Sequence, residues 1–189
     1  MSALNLTNKL LIAMPSLEDG NFSQTIALVC GHSDQGALGL VLNRPLPMRL
    51  GQVFEQMLLD HPGAPWADQS VLRGGPVEQE RGFVIHRPNG LGAGPWDSTM
   101  AVSDQLHVTT SKDILEAIAK GHGPEEAVVA LGYAGWDAGQ LESEIKHHAW
   151  LVADVSEDII FRTPFNDRWQ ASAKLLGVDL TLLGSAGNA

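Results

Sequence analysis

The 189-residue sequence restricts its own function most sharply through what it lacks. It has a single cysteine, Cys30, which excludes an intramolecular disulfide and any zinc site built from several cysteines. Basic residues are scarce: 12 Lys and Arg stand against 22 Asp and Glu, a formal net charge of −10. Counterion release from a nucleic-acid backbone needs a basic surface. The chain also shows no helix-turn-helix pattern and no basic helix, so direct nucleic-acid binding is not expected. Arg73, Arg81 and Arg87 come nearest to a basic cluster, and they are spread over turns and strands. Long apolar runs are missing too. The run LLIAM at 10–14 is too short for a signal segment or a membrane span. Together with the lone cysteine, this predicts a cytoplasmic protein without membrane association. His61, His86, His107 and His122 have no ligand spacing, and the adjacent His147 and His148 diverge on either a helix or a strand. No metal site and no cofactor is expected.

What is present describes an ordinary globular chain, 44% hydrophobic and 18% charged, within the size of one domain. Apolar β-branched runs predict strands at 9–14, 25–30 and 37–43, the last two forming a hairpin near the sheet centre. Further strands are expected at 70–74, 82–87, 99–102, 106–110, 127–133, 149–155 and 158–163. Residues 50–60 place Leu50, Val53, Phe54, Met57 and Leu58 at helical spacing. Residues 111–121 read as a helix with Ser111 as N-cap and Gly121 as its stop. A helix at 166–177 would start at Asn166 or Asp167 and turn Trp169, Ala173 and Leu176 inward. The Gly/Pro loop at 88–97 has neither period; its apolar GLGAGPW stretch could meet a second copy, and the oligomeric state stays open. Strands and helices in irregular order predict a one-domain α+β, or mixed α/β, fold with three or four outer helices. The domain spans residues 1–189, with an ordered core over about 6–182.

The runs KLLIAMPSLEDGNFSQTIALVCGH, GALGLVLNRP, RGGPV, GYAGWDAGQLESEI and TPFNDRW…LLGVD follow one another over most of the chain. In this combination the sequence resembles the AlgH/YqgE family. The resemblance implies a mixed sheet curled into a partial barrel with helices outside. It also implies a link to transcriptional regulation, through alginate control in some members. It brings no catalytic residue, so candidate sites rest on the residues themselves.

Within GYAGWDAGQLESEI, three glycines allow unusual backbone angles or close approach. Asp137 and Gln140 have capping-box spacing. Tyr133 and Trp136 could wall a pocket beside that helix start, with Arg44 or Arg73 as charge partners; the commoner reading is a capped strand-to-helix turn with Trp136 in the core. Cys30 and His32, two apart, share one face of an unbroken strand. That would let the imidazole take the thiol proton in an enzyme or redox sensor; the commoner reading is a buried cysteine at a strand end. RGGPV lacks the spacing and the lysine of a phosphate loop. The expected function is therefore non-catalytic and regulatory, the binding of a small molecule or a protein partner. A cysteine enzyme or redox sensor is the first alternative, and a transcriptional regulator acting indirectly the second.

Overall fold

Apolar runs early in the chain build the middle of one large sheet. In the computed structural model, which describes residues 4–61, 63, 66–88 and 96–186, strand β1 spans Lys9–Ala13, β2 Ile26–Ser33 and β3 Gly36–Val41. β4 (Pro45–Arg49) leads into α1 (Leu50–Gln56), and β5 (Ser70–Arg73) and β6 (Val77–His86) follow. The short strands β7 (Thr99–Ala101) and β8 (His107–Thr109) precede α2 (Lys112–Ala119). The long β9 (Ala127–Asp137) is followed by α3 (Gln140–Lys146), β10 (Trp150–Asp154), α4 (Glu157–Phe161), α5 (Arg168–Lys174) and α6 (Leu180–Ala186). The strand order is β10-β1-β2-β3-β9-β6-β8-β7, with β5 joined to β4 and to β9. The β5–β9 pair is parallel and the other pairs antiparallel. The result is a mixed α/β domain whose sheet curls into a half-barrel.

One side of the sheet packs Leu10, Ile12, Leu28 and Leu40 against α4, α5 and α6. The other side carries two cores. Phe54 of α1 and Ile114 and Ile118 of α2 cover Val84 and Val129 at one end. At the other end Leu141 of α3 joins Trp136, Trp150 and Val29. β9 serves all three cores because it bends at Gly132, where φ is +78°. Before the bend Val128 and Ala130 face the first core and Val129 the second; beyond it Tyr133 faces the first and Ala134 and Trp136 the third. Two-residue alternation thus slips by one at Gly132. A Cβ there would lie 2.5 Å from the Gly75 carbonyl, and one at Gly75 would lie 2.1 Å from the Tyr133 carbonyl carbon. The RGGPV run is thus a close backbone crossing of β9.

Several sequence-based boundaries change. Residues 158–163, expected as a strand, hold most of helix α4 (Glu157–Phe161) and the turn that follows it. Ser156 Oγ accepts from the Ile159 amide, and Asp158 pairs with Arg162 one turn on, local bonds that favour helix over the β-branched character of Ile159 and Ile160. Helix α1 ends before Leu58, which has φ +57° and is 92% exposed. In α5 the buried residues are Arg168, Ser172 and Ala173, while Leu176 is exposed. β4 and α6 are additional elements. Six α-helices are present among the described residues; the three or four expected from the sequence correspond to α1, α2, α3 and α5. Most of the loop read at 88–97 lies outside the described residues. No described helix is long and apolar enough to cross a membrane.

Candidate functional site

The Gly-rich aromatic run is mostly strand. β9 continues through Asp137, and Gly139, at φ +75°, is the N-cap of α3. The Gln140 side chain does reach back, accepting from the Asp137 amide at 2.9 Å. The Asp137 carboxylate does not cap the helix, because the residue still belongs to the sheet and pairs with Gly36. Trp136 is 5% exposed. Its ring stacks on Phe22 at 6.1 Å and meets Trp150 edge-on at 6.2 Å. Gly39 leaves room for it: a Cβ there would lie 2.9 Å from the indole. Tyr133, on the opposite side of the sheet, packs edge-on against Phe83 at 5.9 Å. The two aromatics therefore cannot wall one pocket.

Arg44 and Arg73 are neighbours, the Arg73 amide donating to the Arg44 carbonyl at 2.7 Å. The Arg44 guanidinium is spent on backbone, with Nη2 donating to the Ser23 carbonyl at 2.6 Å. The cavity that both border, closed by Asn21 and Pro76, measures about 10 Å³, room for about one water. The structure brings the two arginines together but not with Tyr133 or Trp136.

Cys30 and His32 also separate. The pairing of β2 with β3 shifts between Val29 and Gly31, a β-bulge that leaves Cys30 as the extra residue. Cys30 packs with Leu28 in the first core. His32 stands opposite Ala37, which packs against the third. The side chains thus face opposite sides of the sheet, because the bulge breaks the alternation that would align them. Burial pushes the thiol up to about 12, so there is almost no thiolate at neutral pH. The imidazole is also occupied: Nδ1 accepts from the Leu6 amide at 3.0 Å, which puts the proton on Nε2, 2.5 Å from Glu142 Oε1.

Two of the larger cavities among the described residues lie against the sheet, and neither is lined by any of these candidates. One, of about 740 Å³, lies between α1 and α2. Its floor is Val84, Val129 and Leu131, Met57 and Leu115 rise at its sides, and Lys112 stands at the rim. The second, of about 440 Å³, is lined by Gln69, Phe161, Arg162, Phe165 and Arg168 among others. The sequence signal for the first was the pair of amphipathic helices, whose apolar stripes do not close completely over the sheet. For the second the sequence held no such signal, because the helical stripe read through Trp169 and Ala173 does not include Arg168. Among the described residues no group of three or more His, Cys, Asp or Glu is placed to hold a metal ion.

Comparison with known proteins agrees with this architecture. Residues 10–181 match the sequence pattern of the family described as AlgH-like. A UPF0301 protein of Thioalkalivibrio sulfidiphilus is 52% identical over 186 residues, covering 98% of this chain and 97% of its own. The solution structure of the AlgH protein from Pseudomonas aeruginosa superposes with a TM-score of 0.76 at 44% identity, over 97% of this chain and 95% of that one. A Corynebacterium diphtheriae protein shares the fold, with a TM-score of 0.72 at 20% identity over 97% and 94% of the two chains. With the curled sheet, its motif glycines at the backbone crossings and a match over nearly the whole length, this chain belongs to the AlgH-like family.

Proposed function

We propose that the protein is a non-catalytic, cytoplasmic binding domain, and that its ligand is a small, largely apolar molecule held between α1 and α2. The observation that carries this reading is the 740 Å³ cavity, whose volume and apolar floor with a polar rim match those of small-molecule sites. Met48 and Met57 on its walls are unbranched and adapt to varied ligand shapes. The buried thiol and the occupied imidazole favour binding over cysteine chemistry. An acidic chain favours a regulatory role exercised through a ligand or a protein partner over direct contact with nucleic acid.

A thermal-shift screen of apolar metabolites tests the proposal, since a ligand of the folded state raises Tm. Leu131→Trp, which fills the cavity floor, should abolish the shifts while the protein stays folded. A screen without hits, or hits that persist unchanged in Leu131→Trp, would sink it.

A further inference from the structure

Arg168 is 3% exposed, and no described carboxylate is paired with it. Its guanidinium is held by backbone and by a ring. Nε donates to the Thr163 carbonyl at 2.8 Å and Nη1 to the Leu42 carbonyl at 2.7 Å, and the group lies 4.6 Å from the Phe165 ring centroid. A guanidinium carries five N–H donors, and these bonds use two of them. Nη2 has no acceptor among the described hydrogen bonds. A buried cation without an anion is costly, and burial alone lowers the pKa of this one to about 10.

The residue borders the 440 Å³ cavity, and so does Arg162. Among the described residues no Asp or Glu lines it, in a chain whose formal net charge is −10. The Arg162 guanidinium is already engaged by Glu126 and Asp158, so among the described lining residues Arg168 is the cation left to an incoming group. Gln69, on the same cavity, supplies a second unmet need. Its Nε2 donates to the Ala127 carbonyl at 3.1 Å, while its Oε1 is buried without a donor among the described residues. Flipping the amide would set oxygen against the Ala127 carbonyl, so the acceptor is fixed in orientation. Phe161, Phe165 and Val128 add apolar surface.

We infer that this cavity binds a small organic carboxylate that carries a hydroxyl or amino group beside an apolar body. The carboxylate accepts from Arg168, the hydroxyl or amine donates to Gln69 Oε1, and the apolar body lies along Phe161 and Phe165. The site is distinct from the cavity between α1 and α2. Val128 lines this one and Val129 the other, and neighbours on a strand face opposite sides of the sheet.

Phenyllactate, phenylpropionate (the same molecule without the hydroxyl) and inorganic phosphate are the probes, titrated against isotope-labelled protein. Binding is followed through the Arg168 Nε–H and Gln69 side-chain amide resonances. Phenyllactate should shift both resonances and bind roughly tenfold tighter than phenylpropionate, the difference one buried hydrogen bond supplies. Gln69→Met should bring the two affinities together, and Leu131→Trp in the other cavity should leave them unchanged. Arg168→Lys, where it folds, should weaken both carboxylates; Gln69→Met keeps the test decisive where it does not. Absence of phenyllactate binding at millimolar concentration, equal affinity for the two carboxylates in the unmodified protein, or phosphate binding as tight as phenyllactate would overturn the inference.

Discussion

His32 Nε2 lies 2.5 Å from Glu142 Oε1, joining the end of β2 to the first turn of α3 across 110 residues of sequence. The imidazole side chain is 2% exposed and the carboxylate 37%, and the Leu6 amide closes the other ring nitrogen. One histidine therefore ties three separate segments together. The Glu142 carboxyl is held below its ordinary value chiefly by its own backbone amide; burial opposes this, and the hydrogen bond and charge of His32 add to the lowering. A carboxylate depressed in this way contributes stability in full above the ordinary value of 4.5, and loses it as pH falls through the lower folded value. Glu142→Gln should flatten the acid limb of the stability curve below about pH 4.5, measured by urea unfolding across pH. At neutral pH it should cost roughly 1 kcal/mol, less than a fully buried charged hydrogen bond because the carboxylate is partly solvated.

Cys30 should be inert while the protein is folded. With its pKa near 12 against an ordinary 9.0, the thiolate population is about a thousandfold below that of a free cysteine at the same pH. Alkylation by iodoacetamide should be slow at pH 8 and should speed up only with urea, in step with unfolding. Fast labelling of the native protein would restore the redox reading.

Trp136 should behave as a core residue. Trp136→Ala removes its ring contacts with Phe22 and Trp150 and should cost about 3–5 kcal/mol in chemical denaturation. Gly39→Ala should destabilise the same region, because its Cβ would lie 2.9 Å from the indole and 3.0 Å from the Leu28 carbonyl oxygen. Trp136→Ala protein with unchanged stability would return the residue to the ligand candidates.

His86 should give the protein a second, higher pH dependence. It is 2% exposed, its Nδ1 donating to the Arg87 carbonyl at 2.9 Å and its Nε2 2.7 Å from Thr109 Oγ1. Burial lowers its pKa, the Arg87 carbonyl partly opposes the shift and nearby His107 adds to it. The unfolded chain then binds more protons than the native one as pH falls below 6.5, so stability is full above that value and drops through the depressed folded pKa. His86→Gln should remove the part of this slope that His86 carries. An identical pH profile for the two proteins would show that the imidazole does not titrate on unfolding.

The hairpin of β2 and β3, helix α2 and the family were legible because each rests on local pattern: apolar β-branched runs, a helical stripe from Ile114 to Ile118, and glycine-rich runs in fixed order. The glycines were legible as backbone features, but their partners were not, since Gly75 meets Gly132 and Gly39 meets Trp136 only in the fold. The sequence by itself determined a single mixed α/β domain, acidic and short of thiols. Tertiary structure decided where the chemistry could lie. A bulge at Cys30 and a bend at Gly132 each shift the two-residue alternation by one: the first separates Cys30 from His32, and the second turns Tyr133 toward the first core and Trp136 toward the third. Periodicity read along the chain assumes an unbroken strand, so it cannot register either slip. It also cannot tell that Arg168 faces inward, because the face of α5 that is buried depends on how the helix lies against the sheet.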